Sequence, residues 1–386
     1  MYIKCQSTFP QALWAKVSNP KVLMLGTAYW EALTHYHSTG MSDDKKDLEF
    51  GLGFYLNKAF NKIGWHSDLF YINDIRSQVR WIHENDIKFL DKVPKIKYLI
   101  TESFDKFSRP KKLFNYLLGW QIARIQIQHL KPDIIWFFDP AHTPPILMQT
   151  VPNRNKIFKV AHISSPLPKL KWFENYDLMI SSQRSNVNKW NEMNLRAEYF
   201  KQAVDQESCY SNEWDRRKLP LTFIGGISNL HSKRLRILEK ISNEFDINLF
   251  GPGKENIPKG SNLQNKWKYP VWGKDMYEIL ANSKLSLNIH GDISQSEAAN
   301  LRLLEVTGSG ALLLTENQSN LGEYFNNEEV VTYDSVSDLI EKINYYLTNN
   351  EAASQIAAAG RKRTLLDHTY DNRVVDLSKK LINIVS

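Results

Sequence analysis

The chain has 386 residues, 42% of them hydrophobic and 24% charged, proportions that let it bury sizeable cores and exclude disordered, collagen-like and disulfide-scaffold classes. No window approaches about 18 uninterrupted apolar residues, and the N-terminus (MYIKCQSTFPQALWAKVSNPK) has no apolar core followed by a small-residue cleavage site, so a soluble, unsecreted, cytoplasmic protein is expected. The net charge of +7 is uneven: residues 1–205 hold 28 Lys+Arg against 19 Asp+Glu, the remainder 21 against 23. A basic half suits an anionic partner, whether a membrane surface, a phosphorylated acceptor or nucleic acid, and equally a solvated basic surface. Cys5 and Cys209 stand far apart without metal-ligand spacing, which supports neither a zinc site nor a disulfide framework.

In chain order, KVLMLG (21–26) is a short apolar run closed by glycine, a strand entering a polar loop that carries His35 and His37. Across 48–63, Leu48, Leu52, Tyr55, Leu56, Ala59, Phe60 and Ile63 recur at helical spacing and stop at Gly64, which predicts an amphipathic helix. HSDLFYIN supplies a second strand, 110–130 a further helix, and PDIIWFFDP a buried strand ending at Asp139. KVAHISS (159–165) and YDLMISS (176–182) read the same way. Strands separated by helices and ending in polar, Gly- or Pro-containing loops describe a parallel, doubly wound sheet.

Residues 205–219 have no apolar periodicity, and the pattern restarts after them. Strands are expected at LTFIGG (221–226), INLFGPG (247–253), KLSLNIHGD (284–292), GALLLTE (310–316) and EVVTYD (329–334), with helices at 232–244, 274–282, 300–308 and 336–348. The remainder is helical on both sides of a break near 368–371. The expected architecture is α/β with two Rossmann-like domains, 1–205 and 206–386, the last helix free to cross back to the first.

The most informative segment is SQSEAANLRLLEVTGSGALLLT (294–315), in which seven residues separate Glu297 from Glu305 and the chain turns through Gly308 and Gly310 into a buried strand. In a helix starting near Asn300, the first-turn N–H groups and the positive dipole end face the carboxyl edge of the sheet, where anions dock in doubly wound folds. A diphosphate fits there. Glu305, one to two turns on, is placed to accept hydrogen bonds from a vicinal diol such as that of a ribose. A solvated helix face is the plainer reading of the two glutamates taken alone.

LANSKLSLNIHGD (280–292), NLRLLEVTGSGALLLTE (300–316), YYLTNNEAASQIAAAGRKRTLLDHTYDNR (345–373) and FIGG with Lys233 and Arg234 together resemble the CgeB-like (spore maturation protein B-like) glycosyltransferases, a branch of the GT-B superfamily related to the retaining family that carries an E-x7-E motif. The resemblance covers most of the C-terminal half, while the first half matches only in strand-helix order. It implies a GT-B fold, two Rossmann-like domains facing each other across a cleft. The C-terminal domain would bind a nucleotide diphosphate-sugar and the N-terminal domain a glycan, glycolipid or protein acceptor. Residue by residue, Glu305 matches the glutamate that holds the ribose, and Asn300, Leu301 and Arg302 match the helix start whose amides approach the diphosphate. Glu297 matches the glutamate that reaches the donor sugar, although CgeB-like proteins often lack an acid there. Arg234, or else Lys233, resembles the basic residue that neutralises the leaving diphosphate. The retaining family usually has an arginine directly after the glycine of its first C-domain strand, where this chain has Gly226.

Gly251 and Gly253 in LFGPG follow a strand, where close backbone approach to a ligand needs no side chain, or are ordinary turn glycines. His290 in NIHGD ends a strand within reach of donor phosphate or sugar, or fills a hydrogen-bonded structural place. On the N-terminal side Asp139, His142 and His162 end strands facing the expected cleft, and His142 and His162 are the leading candidates for a base near the acceptor. The stretch KFLDKVPKIKYLITESFDKFSRPKK (88–112) interleaves basic with aromatic and aliphatic residues and suits an anionic membrane or glycan, with nucleic acid as a weaker option. No D-x-D motif joins a strand to a metal-binding loop, Asp43 and Asp44 lying in a polar loop, so no cofactor is expected beyond the donor substrate and no metal is required. The reading is a glycosyltransferase, with retention favoured by the E-x7-E spacing; a DNA-modifying glycosyltransferase, a nucleotide-sugar epimerase and a non-catalytic partner subunit are the alternatives.

Overall fold

The computed structural model describes residues 19–28, 33, 50–88, 109–138, 140, 145–165, 167, 170–228, 232–291, 297–298 and 300–385. The chain forms two compact units, Met1–Phe200 with Val374–Ser386, and Lys201–Arg373.

The first unit is built on six parallel strands, β1 (Lys21–Gly26), β2 (His66–Tyr71), β3 (Ile134–Phe137), β4 (Phe158–His162), β5 (Leu178–Ser181) and β6 (Ala197–Tyr199), in the order β2-β1-β3-β4-β5-β6. IIWF of β3 and LMIS of β5 are buried at every position, as strands covered by helices on both faces must be. Leu23, Leu25, Ile135, Phe137 and Met179 form the core with Trp120 of helix Arg109–Leu130 and Trp190 of helix Arg184–Glu192. Helix Leu52–Lys62 lies within the predicted 48–63 and buries Tyr55, Leu56, Ala59 and Phe60, the residues that its periodicity selected. Strand β6, AEY, is half-buried throughout and carries no apolar run, so the sequence pattern passes over it.

The second unit holds β7 (Leu219–Ile224), β8 (Asn248–Phe250), β9 (Ser283–Asn288), β10 (Leu312–Glu316) and β11 (Val331–Tyr333), all parallel, in the order β11-β10-β9-β7-β8. Helices Ser232–Glu244 and Val336–Thr348 coincide with their predicted spans, and Leu238, Ile241, Leu339 and Ile343 pack against Leu221, Leu285, Leu287, Leu312 and Leu314. Two parallel sheets flanked by helices are therefore present, as expected. Residues 205–219 are not a slack tether: they hold the 3-10 turns Gln206–Ser208 and Trp214–Arg216. Buried Arg217 donates to the carbonyls of Leu280, Ser283 and Ser309.

The break between helices Asn350–Asp367 and Tyr370–Val385 has a structural task. Val204 and Thr369 form an isolated parallel bridge, with Val204 N donating to His368 O and Tyr370 N to Val204 O, both at 2.9 Å. The His368 ring lies between Tyr324 O and the Arg373 guanidinium, 2.9 Å from each. Residues 201–205 and 368–373 thus run together on the second unit. Among the described residues no helix is long and apolar enough to cross a membrane.

Candidate functional site

Because the second sheet is wholly parallel, its strands all end at one edge, and the sequence places polar residues there after apolar runs: Asn288 closes β9, Thr315 and Glu316 close β10, Tyr333 closes β11. Register puts Asn288 beside Thr315 and Glu316 beside Tyr333. All four side chains are buried, so each polar group needs a partner. Asn288 Nδ2 donates to Thr315 Oγ1 at 3.0 Å, and its Oδ1 accepts from Asn300 Nδ2 at 2.7 Å. Tyr333 donates to the Asn288 carbonyl at 3.3 Å. Burial, and then the Glu316 carboxylate, push the Tyr333 phenol well above its ordinary range, so it stays a donor. The His290 Nε2 lies 3.3 Å from Asn288 Nδ2 and 3.4 Å from Thr315 Oγ1. Burial pushes the His290 ring down to about 4, with the Arg234 and Lys233 charges adding to the effect and Glu316 opposing it. The ring is therefore neutral at physiological pH.

Helix Ser232–Glu244 brings two cations to this edge. Arg234 donates from Nη1 to Gly226 O at 2.7 Å and from Nη2 to Ile289 O at 3.0 Å, tying the loop after β7 to the end of β9. Lys233 Nζ pairs with Glu316 Oε1 at 2.6 Å, its side chain 54% exposed against 8% for Glu316. The other carboxylate oxygen, Oε2, accepts from the His290 backbone N–H at 2.7 Å.

The predicted helix after Asn300 begins at Arg302 and ends at Gly308, with Leu301 as its cap position and no side-chain cap bond. Asn320 Oδ1 accepts from Ala298 N at 2.6 Å, which fixes the chain beside half-buried Glu297. Glu305 pairs with Arg302, Oε2 to Nη1 at 3.0 Å, both side chains largely buried at 12% and 18% exposure, and the same Nη1 reaches Met276 Sδ. Burial, and then the Glu305 and Asp205 carboxylates, raise the thiol of Cys209 far above its ordinary range, leaving it an inert packing group beneath Gly308.

Gly251 and Gly253 have φ of +134° and +99°, and a Cβ on them would lie 2.3 Å from Gly225 O and 1.8 Å from Ile227 O. Their close approach is to the chain's own loop after β7. A Cβ at Gly226 would meet nothing nearer than Pro252 Cγ at 3.7 Å.

The candidates of the first unit are placed differently. His162 ends β4 at 2% exposure, ringed by Trp136, Phe138 and Phe200 at centroid distances of 6.0, 5.8 and 5.2 Å, and burial pushes its pKa down to about 3. His142, Asp139, His35, His37 and residues 89–108 of the basic stretch lie outside the described residues. The structure thus gathers Lys233, Arg234, His290 and Asn300 into one bonded edge, pairs Arg302 with Glu305, and encloses His162 in a core. Asn288, Thr315, Glu316 and Tyr333 were given no role from the sequence, a polar residue ending an apolar strand being their signal; Asn320, in the loop after β10, carried no such signal. Among the described residues no group of three or more His, Cys, Asp or Glu could hold a metal ion.

Residues 233–379, which span this edge and its helices, match the family model described as "Glycosyl transferase-like". The matched stretch lies almost wholly in the second unit and is similar to that family. Sucrose-phosphate synthase from Thermosynechococcus elongatus superposes with a TM-score of 0.63 at 10% identity over 95% of this chain and 99% of that one. A glycosyltransferase from Rickettsia africae gives 0.60 at 12% identity over 96% and 100%. Anabaena HepE, determined with UDP and glucose, gives 0.57 at 10% identity over 95% and 100%. At these identities the likeness establishes the fold, which is GT-B. No curated protein matches the sequence significantly. Within the matched stretch the segment Asn300–Glu316 of the sequence motif supplies the short helix, the turn and the strand that build half of the polar edge.

Proposed function

We propose that this GT-B glycosyltransferase transfers a sugar from a UDP-linked donor to a glycan, glycolipid or protein acceptor, with retention at the anomeric carbon and without a metal, in the manner of the CgeB-like branch. The observation that carries this reading is the joining of Lys233, Arg234, His290, Asn300 and Glu316 at the carboxyl edge of one parallel sheet, the place where doubly wound folds bind nucleotides. HepE structures with UDP and UDP-glucose favour uridine as the base. Breaking the glycosidic bond puts negative charge on the terminal phosphate oxygen, and a fixed cation there lowers the barrier. Of the two basic candidates, Lys233 has the exposed head that can reach a phosphate, whereas Arg234 frames the site by holding Gly226 and Ile289. Glu305, held by Arg302, is assigned to the ribose diol, and Glu297 to the donor sugar.

Thermal unfolding of the purified chain against UDP, UDP-glucose and other nucleoside diphosphates tests this, because a ligand at 100 times its Kd adds about 2.7 kcal/mol of stability. Stabilisation by uridine nucleotides alone is the expected result. A preference for another base removes the UDP assignment, and silence across the panel removes the donor site.

A further inference from the structure

Glu316 closes the motif segment 300–316 without a role assigned to it there, yet it is the residue on which the polar edge converges. Its carboxylate is 8% exposed, closes β10 and uses its two oxygens differently: Oε1 holds Lys233 Nζ at 2.6 Å, and Oε2 takes the His290 backbone N–H at 2.7 Å. The second bond is to main chain and fixes the carboxylate to the end of β9. The first fixes a side chain that otherwise has four rotatable bonds and about 2 kcal/mol of rotamer entropy. Lys233 stands on the first turn of helix Ser232–Glu244; among the charged pairs of the second unit, this one joins a largely exposed cation to a nearly fully buried anion.

We propose that Glu316 is a positioning residue: it holds the Lys233 ammonium over the sheet edge, in place for the diphosphate of the donor. This rests on the assignment of Lys233 to the diphosphate. The arrangement sets two effects of opposite sign against each other. A carboxylate near an anion site repels the ligand, so removing its charge should strengthen anion binding if that were its whole influence. Removing it also releases the ammonium, and the ligand must then order a long side chain on binding. Positioning requires the second effect to be the larger.

Two readouts on the full chain test this. The first needs no ligand: the rate at which acetic anhydride acylates Lys233, followed by peptide mass spectrometry. An amine engaged by a buried carboxylate at 2.6 Å is withheld from the reagent, so Glu316→Gln should acylate at Lys233 about threefold to tenfold faster than the parent while other lysines keep their rates. The second is calorimetric titration with UDP. Glu316→Gln should bind about fivefold more weakly despite losing a negative charge, Glu316→Asp should recover part of the affinity, and in a Lys233→Ala background Glu316→Gln should bind UDP no more weakly than Lys233→Ala alone. Unchanged acylation, or UDP binding that is equal or tighter in Glu316→Gln, overturns the proposal. If Glu316→Gln unfolds, Glu316→Asp carries the same two readouts, with acceleration and weakening in the same directions. A parent protein that binds no UDP while Glu316→Gln still acylates faster overturns the donor-site reading itself and reduces the pair to a structural ion pair.

Discussion

The two sheets end in opposite chemistry. At the carboxyl end of β4 in the first unit, His162 is enclosed by Trp136, Phe138 and Phe200. Just past the end of β9 in the second unit, the His290 ring meets Asn288 and Thr315, and its own backbone N–H donates to the Glu316 carboxylate. Both rings are buried, both are held neutral, and Nδ1 of each has no hydrogen-bond partner among the described residues. A histidine at the end of a parallel strand is thus not by itself a functional signal; the neighbouring strand ends decide. Those of β10 and β11 bring Glu316 to the His290 backbone and Tyr333 to the Asn288 carbonyl, while aromatic packing surrounds His162.

The contrast makes His162→Ala the most damaging change to consider. Opening a cavity among three aromatic rings should cost about 3 kcal/mol of stability and leave the affinity for UDP unchanged. A matched fall in UDP affinity would make His162 part of the site and erase the contrast.

Acid should separate the units next. His290 and His368 in the second unit lie at about 4, and His162 in the first at about 3, so each folded form resists protons that the unfolded chain takes up near pH 6.5. Their stabilising contributions are complete above about pH 6.5 and decline as pH falls towards 4 and 3, by about 1.4 kcal/mol per pH unit for each histidine. Two such groups against one predict that, between pH 7 and pH 5, backbone amides of the second unit lose more protection from hydrogen exchange than those of the first. Equal losses would refute the assignment of these rings as neutral in the fold.

A smaller effect tests the ligand side. Glu305→Gln keeps the shape but removes the charge that faces Arg302, and UDP binding should weaken about tenfold if the carboxylate receives the ribose. Unchanged affinity would return Glu305 to a structural partner of Arg302. The smallest effect belongs to Gly226→Ala, whose new Cβ meets only Pro252 Cγ at 3.7 Å and should alter stability by less than about 0.5 kcal/mol. Gly253→Ala, in contrast, would place a Cβ 1.8 Å from Ile227 O.

Much of this fold is legible in the sequence because buried parallel strands are continuous apolar runs. KVLMLG, IIWF and LLLTE announce β1, β3 and β10 without any long-range information. Strand β6 is not legible, since AEY gains its place only by pairing with β5. Of the candidate site, the sequence points to Lys233 and Arg234 through the family resemblance, and to His290 and Asn300 through their places at a strand's end and a helix start. The site is not legible where the demand comes from across the sheet. Nothing near Glu316 in sequence says that its partners are Lys233 and His290, which stand 83 and 26 positions earlier in the numbering. The glycines of LFGPG show the same limit: their spacing suggested room for a ligand, and the space is filled by the backbone of Gly225 and Ile227.

The chain's first unit is interrupted by its second, resuming only at Val374, and this bears on the order of assembly during synthesis. Val374, Leu377 and Leu381 form the buried face of the returning helix, and a ribosome delivers them after every residue of the second unit. The second unit can therefore close upon itself while the first still waits for the helix that returns at Val374, so the first unit is the later to finish.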